Sequence, residues 1–262
     1  MTKPTALIAI DTSTDLATPL AGRIFIDELC REPKLTPELV SWDEKFKDPF
    51  ISPEHFLEKW WAQIAVMRAE GEPPFEFYWG PHWKRKSKLA SRGYVKYAKT
   101  NKFGDRIPGT FWFQSRWERS VNFDQVFDRW ASLARANVGM LHLFGEAENP
   151  VAPTAAESRF QSGSFGGPLN PGIPNIGWAM AYGEGYAHEV DVDRIRAHGF
   201  PVEVRDGVVV IRVTEQLSDV ADDFPRFSRR RAELKSLFRP DLFWIKDEPK
   251  PVLTVMHELR PT

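Results

Sequence analysis

The sequence predicts an α+β fold, a largely antiparallel sheet with helices packed on it. Three observations carry this expectation. Strand-like runs come in blocks, FEFYW, GYVKYAK and GTFWFQ in the first half and PVEVRDGVVVIRV in the second, rather than alternating regularly with helices as parallel βαβ units would. Capped, one-faced helical stretches stand between those blocks. With 262 residues, ten tryptophans and nineteen phenylalanines, the chain can also bury the core such a fold needs.

Taken in order, the first fifty residues mix short apolar runs with prolines, and a strand over Arg23 to Leu29 is the element their pattern predicts. Ser52 followed by Pro53 is a helix start, and Phe56, Trp60, Ile64 and Met67 recur at helical spacing toward an end near Gly71. After Pro73 and Pro74, the runs Phe75 to Trp79, Gly93 to Lys99 and Gly109 to Gln114 predict three strands in a meander. Asn122 with Gln125 marks another helix start, with Phe123, Val126, Phe127, Trp130 and Leu133 on one face. A strand from Gly139 to Phe144 completes this half. The stretch from Gly145 to Gly177 is rich in Pro, Gly and Ser and reads as an interaction surface or a mobile connector. The chain is therefore expected to be a single domain over 1–262, or two packed α+β halves at about 1–145 and 175–262 joined by that loop.

Beyond it, Asp191 or Asp193 caps a short helix ending at Ala197, His198 and Gly199, with Gly199 suited to a left-handed conformation. Asp206-Gly207 then matches a two-residue hairpin turn, which sets Arg205 opposite Val208, Val204 opposite Val209 and Val202 opposite Ile211. In that register Phe200, Val202, Val204, Val209, Ile211 and Val213 share a core face, and Glu203, Arg205 and Arg212 share a face that is solvated or marginal. A last helix from about Pro225 to Phe238 turns Phe227, Leu234 and Phe238 inward and ends before Pro240.

Composition narrows the function classes. Thirty-five Lys and Arg against thirty-six Asp and Glu leave no global field toward nucleic acid or membrane. The one cysteine, Cys30, forms no internal disulfide and belongs to no zinc pattern. The apolar run Ala6 to Ile10 is too short for a signal-peptide core, and no stretch reaches membrane-spanning length, so a cytoplasmic location without membrane contact is expected.

The stretch IPNIGWAMAYGEGYAHEVDVDRIRAHG, from Ile173 to Gly199, gathers the residues with most chemical potential. Its GEG lacks the third glycine of a dinucleotide loop, because His188 occupies that position. His188, Glu189, Asp191 and Asp193 have ligand chemistry for a metal-dependent hydrolase, but acids in the first turn of a helix are equally expected as caps. Trp178, Tyr182 and Tyr186, at spacing four, read as core packing. Ser162 and Ser164 lack the strand-turn-helix setting of a nucleophile elbow. The basic run Lys84 to Arg106, with Lys84, Arg85, Lys86, Lys88, Arg92, Lys96, Lys99, Lys102 and Arg106 among Trp83, Tyr94 and Tyr97, could hold single-stranded nucleic acid or could protect a strand edge.

The run from Gly172 to Phe224, together with FWFQSRW and the aromatic helix that follows it to Trp130, resembles the immunity protein 52 family of bacterial polymorphic-toxin systems. The resemblance implies a binding protein rather than an enzyme, with no catalytic residues and no cofactor. It implies that the partner is a cognate secreted toxin, often a nuclease of restriction-endonuclease fold delivered by a type VI secretion system, bound inside the producing cell. The expected partner is thus a toxin effector, a DNase, with no direct nucleic-acid binding by this chain. A nuclease groove attracts phosphates, so acids facing it gain association rate and orientation. On that reasoning Glu215, Asp219, Asp222 and Asp223, with Glu184, are the expected toxin-facing residues. The metal-dependent hydrolase and the nucleic-acid module stay open as alternatives.

Overall fold

The computed structural model describes residues 3–68, 74–100, 104, 106–146, 148 and 172–243. Ser162, Ser164, Lys102, Gly71 and most of the Gly145 to Gly177 stretch lie outside the described residues. Strand β1 (Thr5–Thr12) opens the chain and is buried along nearly its whole length. Helix α1 (Pro19–Arg31) replaces the strand expected at Arg23 to Leu29. Thr18 caps it by accepting from the Ala21 N–H, Pro19 supplies a preset first turn, and Phe25, Ile26 and Leu29 reach the core at helical spacing.

Strands β2 (Leu39–Ser41) and β3 (Asp48–Pro49) precede helix α2 (Pro53–Lys59), capped by Ser52 as expected. The helix does not continue toward Gly71. Trp60 and Trp61 are drawn into the core, Ala62 adopts a left-handed φ of 50°, and Gln63–Met67 becomes strand β4. Burial of two indoles outweighs the helical spacing of Ile64 and Met67, which end up at the surface.

The remaining first-half elements are β5 (Phe75–Trp79), β6 (His82–Arg85), β7 (Ser91–Lys96), β8 (Lys99–Thr100), β9 (Arg106–Ile107), β10 (Gly109–Arg116), α3 (Phe123–Leu133) and β11 (Val138–Phe144). After the undescribed stretch come β12 (Ala179–Tyr182), a 3-10 turn at Ala187–Glu189, α4 (Val192–Ala197), β13 (Val202–Arg205), β14 (Val208–Arg212), α5 (Asp219–Asp222) and α6 (Phe224–Lys235). Ten strands form one antiparallel sheet in the order β13-β14-β12-β11-β1-β10-β7-β6-β2-β3, while β4-β5 and β8-β9 stand apart as two-stranded pairs. The expected meander is therefore not formed. β5 pairs with β4, and β7 lies between β6 and β10.

Helices α1 and α3 cover one face, where Phe25 stacks on Trp130 at 4.6 Å and meets Trp83 and Phe111. Gly93 makes this packing possible, because a Cβ there would sit 2.3 Å from the Trp83 ring. On the other face α6 covers β11 and β12, with Phe227 against His142 and the following Phe238 against Tyr182.

The Asp206-Gly207 hairpin has the expected register, with φ of 52° and 79° at its two turn residues. Its faces are less simple than expected. Val204 is exposed and Val202 half-buried at the sheet's edge, whereas Val208, Val210 and Arg212 are buried under α3. Arg212 is held there by Asp124 and Asp128 of α3 and by Glu203, so the face expected to be marginal belongs to the interior.

Candidate functional site

The β4-β5 pair is an apolar arm outside the main sheet. Ile64 lies opposite Tyr78, Ala65 opposite Phe77 and Met67 opposite Phe75. Ile64 is 64% exposed and Met67 56%, and Val66, Phe75, Tyr78 and Trp79 are exposed as well. Its base is fastened to the body. The Trp79 indole donates to the Trp42 carbonyl at 3.0 Å, and the Ala62 N–H donates to the Tyr97 hydroxyl at 2.9 Å. Between the arm and β7 runs an open cleft of about 400 Å³ whose lining includes Phe77, Tyr78, Lys96, Tyr97 and Ile107. A lone two-stranded ribbon is marginal in water, and a contiguous apolar patch on it is the signature of a surface that becomes covered.

The basic run lies beside this arm and is interleaved with rings. Lys96 sits 5.1 Å over Tyr94, Arg92 5.4 Å over Trp112, Lys84 5.4 Å over Phe46 and Lys99 5.9 Å over Phe77. Arg85 instead donates to the Thr36 carbonyl and pairs with Glu38, and Arg106 donates to the Ser13 carbonyl. His82, Tyr94 and Trp112 form a ladder across β6, β7 and β10, with centroid spacings of 5.4 and 5.3 Å. These rings are stacked on each other and topped by the chain's own cations. A strand-binding platform needs free ring faces for successive bases.

The expected toxin-facing acids fall into four places. Arg226 gathers Glu215 at 2.6 Å and Asp219 at 3.6 Å, while Asp222 pairs with Arg119 at 2.7 Å. Asp223 caps α6 by accepting from the Arg226 N–H. Glu184 is exposed on the turn after β12. The possible metal set is likewise engaged elsewhere. Arg239 holds Glu189 at 2.8 Å, Asp191 caps α4, Asp193 lies in the first turn of α4 and His188 is exposed. Among the described residues no group of three or more His, Cys, Asp or Glu side chains is placed to hold a metal ion. Trp178 and Tyr182 are core residues, as expected, and Tyr186 is half-buried.

The sequence reading missed a buried polar network. Arg231 donates to Glu148 at 3.0 Å, and Glu148 accepts from His142 at 2.8 Å. The Trp178 N–H donates to His142 Nδ1 at 3.1 Å, which leaves the His142 proton on Nε2. Burial pushes the Glu148 carboxyl up, but Arg231 and then His142 outweigh it and hold it at about 2. The signal was present in α6, where Phe227, Arg231 and Leu234 share one helical face.

Fold and site together define an α+β protein built on a ten-stranded antiparallel sheet that presents an apolar arm flanked by cations and rings. Among solved structures the chain is similar to the Pseudomonas aeruginosa T6SS protein PA0821, at 13% identity and a TM-score of 0.57, over 92% of this chain and 73% of that one. At that identity the likeness shows a shared fold, so the architecture occurs in a type VI secretion system protein. No family model matches the chain, and neither does any curated protein sequence. Among the described residues no helix is long and apolar enough to cross a membrane.

Proposed function

We propose that this chain is an immunity protein that binds and neutralises a cognate toxin effector of a type VI secretion system, and that the β4-β5 arm is the contact. The observation that carries the reading is the exposed row of Ile64, Val66, Met67, Phe75, Tyr78 and Trp79 on a ribbon too small to be stable by itself. Aromatic residues and Met are the side chains enriched at protein interfaces, and buried aromatic anchors carry most of the binding energy where such surfaces close. The resemblance to the immunity protein 52 family and the shared fold with a T6SS protein point the same way. On this reading the chain acts in the cytoplasm as a stoichiometric inhibitor, not an enzyme, and its target is a nuclease, a DNase of restriction-endonuclease fold.

The acids at the α5-α6 junction supply a second contact to a basic nuclease groove. Their own partners, Arg119 and Arg226, are at the surface, and exposed ion pairs are worth only about 0–1 kcal/mol, so exchanging them for toxin cations costs little.

The test is co-expression with the product of the adjacent gene, the expected toxin. Ile64→Lys with Tyr78→Glu, which sets opposite charges across the Ile64-Tyr78 pair, is expected to abolish co-purification and protection with little change in melting temperature, since both side chains are exposed. Glu215→Lys with Asp222→Lys spares the Asp223 cap and is expected to slow association and flatten its salt dependence. Capture of the toxin by both double variants with unchanged kinetics would sink the interface reading.

A further inference from the structure

We infer that a second cleft, over β6, β7 and β10 and lined by Arg92, Tyr94, Trp112, His82 and Phe46, receives carboxylate side chains from an acidic segment of the protein partner. The inference rests on the binding-protein reading above and gives that partner a chemistry.

Four observations carry it. First, Arg92, Lys84, Lys96 and Lys99 form no ion pair among the described residues, while Arg23, Arg119, Arg212, Arg226, Arg231 and Arg239 each hold a carboxylate. Glu44 lines the cleft and Asp43 lies near enough to act on His82, but Asp43 pairs with Lys45 at 3.6 Å, so Arg92 with Lys84 over Phe46 and Lys96 over Tyr94 leaves a positive excess against Glu44. Second, Arg92 is preset as an anion receptor. Its Nε and one Nη2 N–H reach Gln114 Oε1 at 3.4 and 3.3 Å, and its plane rests near the Trp112 ring. Of the five donors of a guanidinium, two are used in this way and three remain for a carboxylate fork. Third, Trp112 lines the cleft and its buried indole N–H has no hydrogen-bond partner, so its resonance is a local reporter of the cleft wall. Fourth, Lys96 links the cleft to the arm. Lys96 covers Tyr94 on the cleft side and also lines the groove under Phe77 and Tyr78.

An acidic protein segment fits this better than a nucleic-acid strand. Tyr94 and Trp112 stack on each other at an interplanar angle of 12° and carry Lys96 and Arg92 on top, so base stacking would have to displace the chain's own cations. A carboxylate needs no free ring face. It approaches the open edge of Arg92 while the rings exclude water around the pair, which strengthens the charge-assisted bonds.

The experiment follows the Trp112 indole N–H resonance, assigned through its loss in Trp112→Phe, during titration of the full chain with a hexaglutamate peptide or a hexathymidylate oligonucleotide at low salt. A saturable shift with hexaglutamate is expected, weakened about tenfold or more by Arg92→Gln and by Lys96→Gln, and unaffected by Arg23→Gln on α1, which removes a cation outside the cleft. The inference is overturned by the absence of a saturable shift, by parent-like affinity in both cationic variants, or by tighter binding of hexathymidylate than of hexaglutamate at this resonance. Because the titration needs no effector, its failure removes the cleft assignment alone. Effector capture in the co-expression assay judges the binding-protein reading separately.

Discussion

Replacing Arg231 with Met tests the energetics of the interior most directly. Arg231 is fully buried, with its Nη1 3.0 and 3.1 Å from the two Glu148 oxygens and 3.4 Å from the Ile176 carbonyl. Methionine fills a similar stem volume but leaves a buried carboxylate without its cation, a loss of about 3–5 kcal/mol in comparable sites. For a chain of this size about 2–4 °C of melting temperature accompanies each kcal/mol, so a drop of roughly 6–20 °C at neutral pH is expected. The pH dependence is a second signature. In the parent, the depressed Glu148 carboxyl contributes stability that is complete above its ordinary value of 4.5 and is lost as pH falls through about 2. In Arg231→Met that contribution is gone, so the gap between variant and parent narrows as the solution is acidified. Glu148→Gln combined with Arg231→Met removes the charge together with its partner and is expected to recover much of the loss. Urea unfolding of the parent and the two variants at neutral and acid pH measures all of this. An Arg231→Met protein within about 1 kcal/mol of the parent, or a gap that stays constant with pH, would refute the account of a charge held in the core by its partner.

Two further outcomes follow from the backbone and from a lone buried acid. Gly207→Val places a β-branched residue at a φ of 79° and is expected to cost about 1–2 kcal/mol, read as a lower unfolding midpoint; parent-like stability would contradict the turn geometry. Burial pushes the Asp11 carboxyl up to about 7, and its Oδ1 has no hydrogen-bond partner. Because the folded value is raised, the parent loses stability as pH rises from 3.8 toward about 7. Asp11→Asn, which cannot ionise, should gain on the parent across that window and stay level above it, and a stability difference that does not change with pH would show that Asp11 titrates normally.

Local signals determined much of this protein. The Ser52 and Asn122 caps, the faces of α3 and the register of the Asp206-Gly207 hairpin are set by hydrogen bonds and φ preferences within a few residues, so they were legible in order along the chain. The α+β class followed from the spacing of those elements. The candidate site was legible in part. Tyr94, Arg92 and Lys96 belonged to a run whose basic and aromatic character was plain, and the Phe75–Trp79 strand of the arm was expected, but its Gln63–Met67 strand was hidden inside an expected helix.

The tertiary structure decided what depends on distant neighbours. β1 reads as an unpatterned apolar run because it lies inside the sheet between β11 and β10 with residues of both its faces buried, and a strand buried on both faces has no alternation to detect. Residues 63–67 became a strand because Trp60 and Trp61 gain more by entering the core than the helix gains by continuing. Arg231 and Arg212 look like surface arginines in sequence, yet Arg231 meets Glu148, and Arg212 meets Asp124 and Asp128, at separations of more than eighty residues. Propensity and capping act between neighbours and can be read one segment at a time. Burial of rings and pairing of interior charges depend on which segments meet, and the assembled sheet alone sets that.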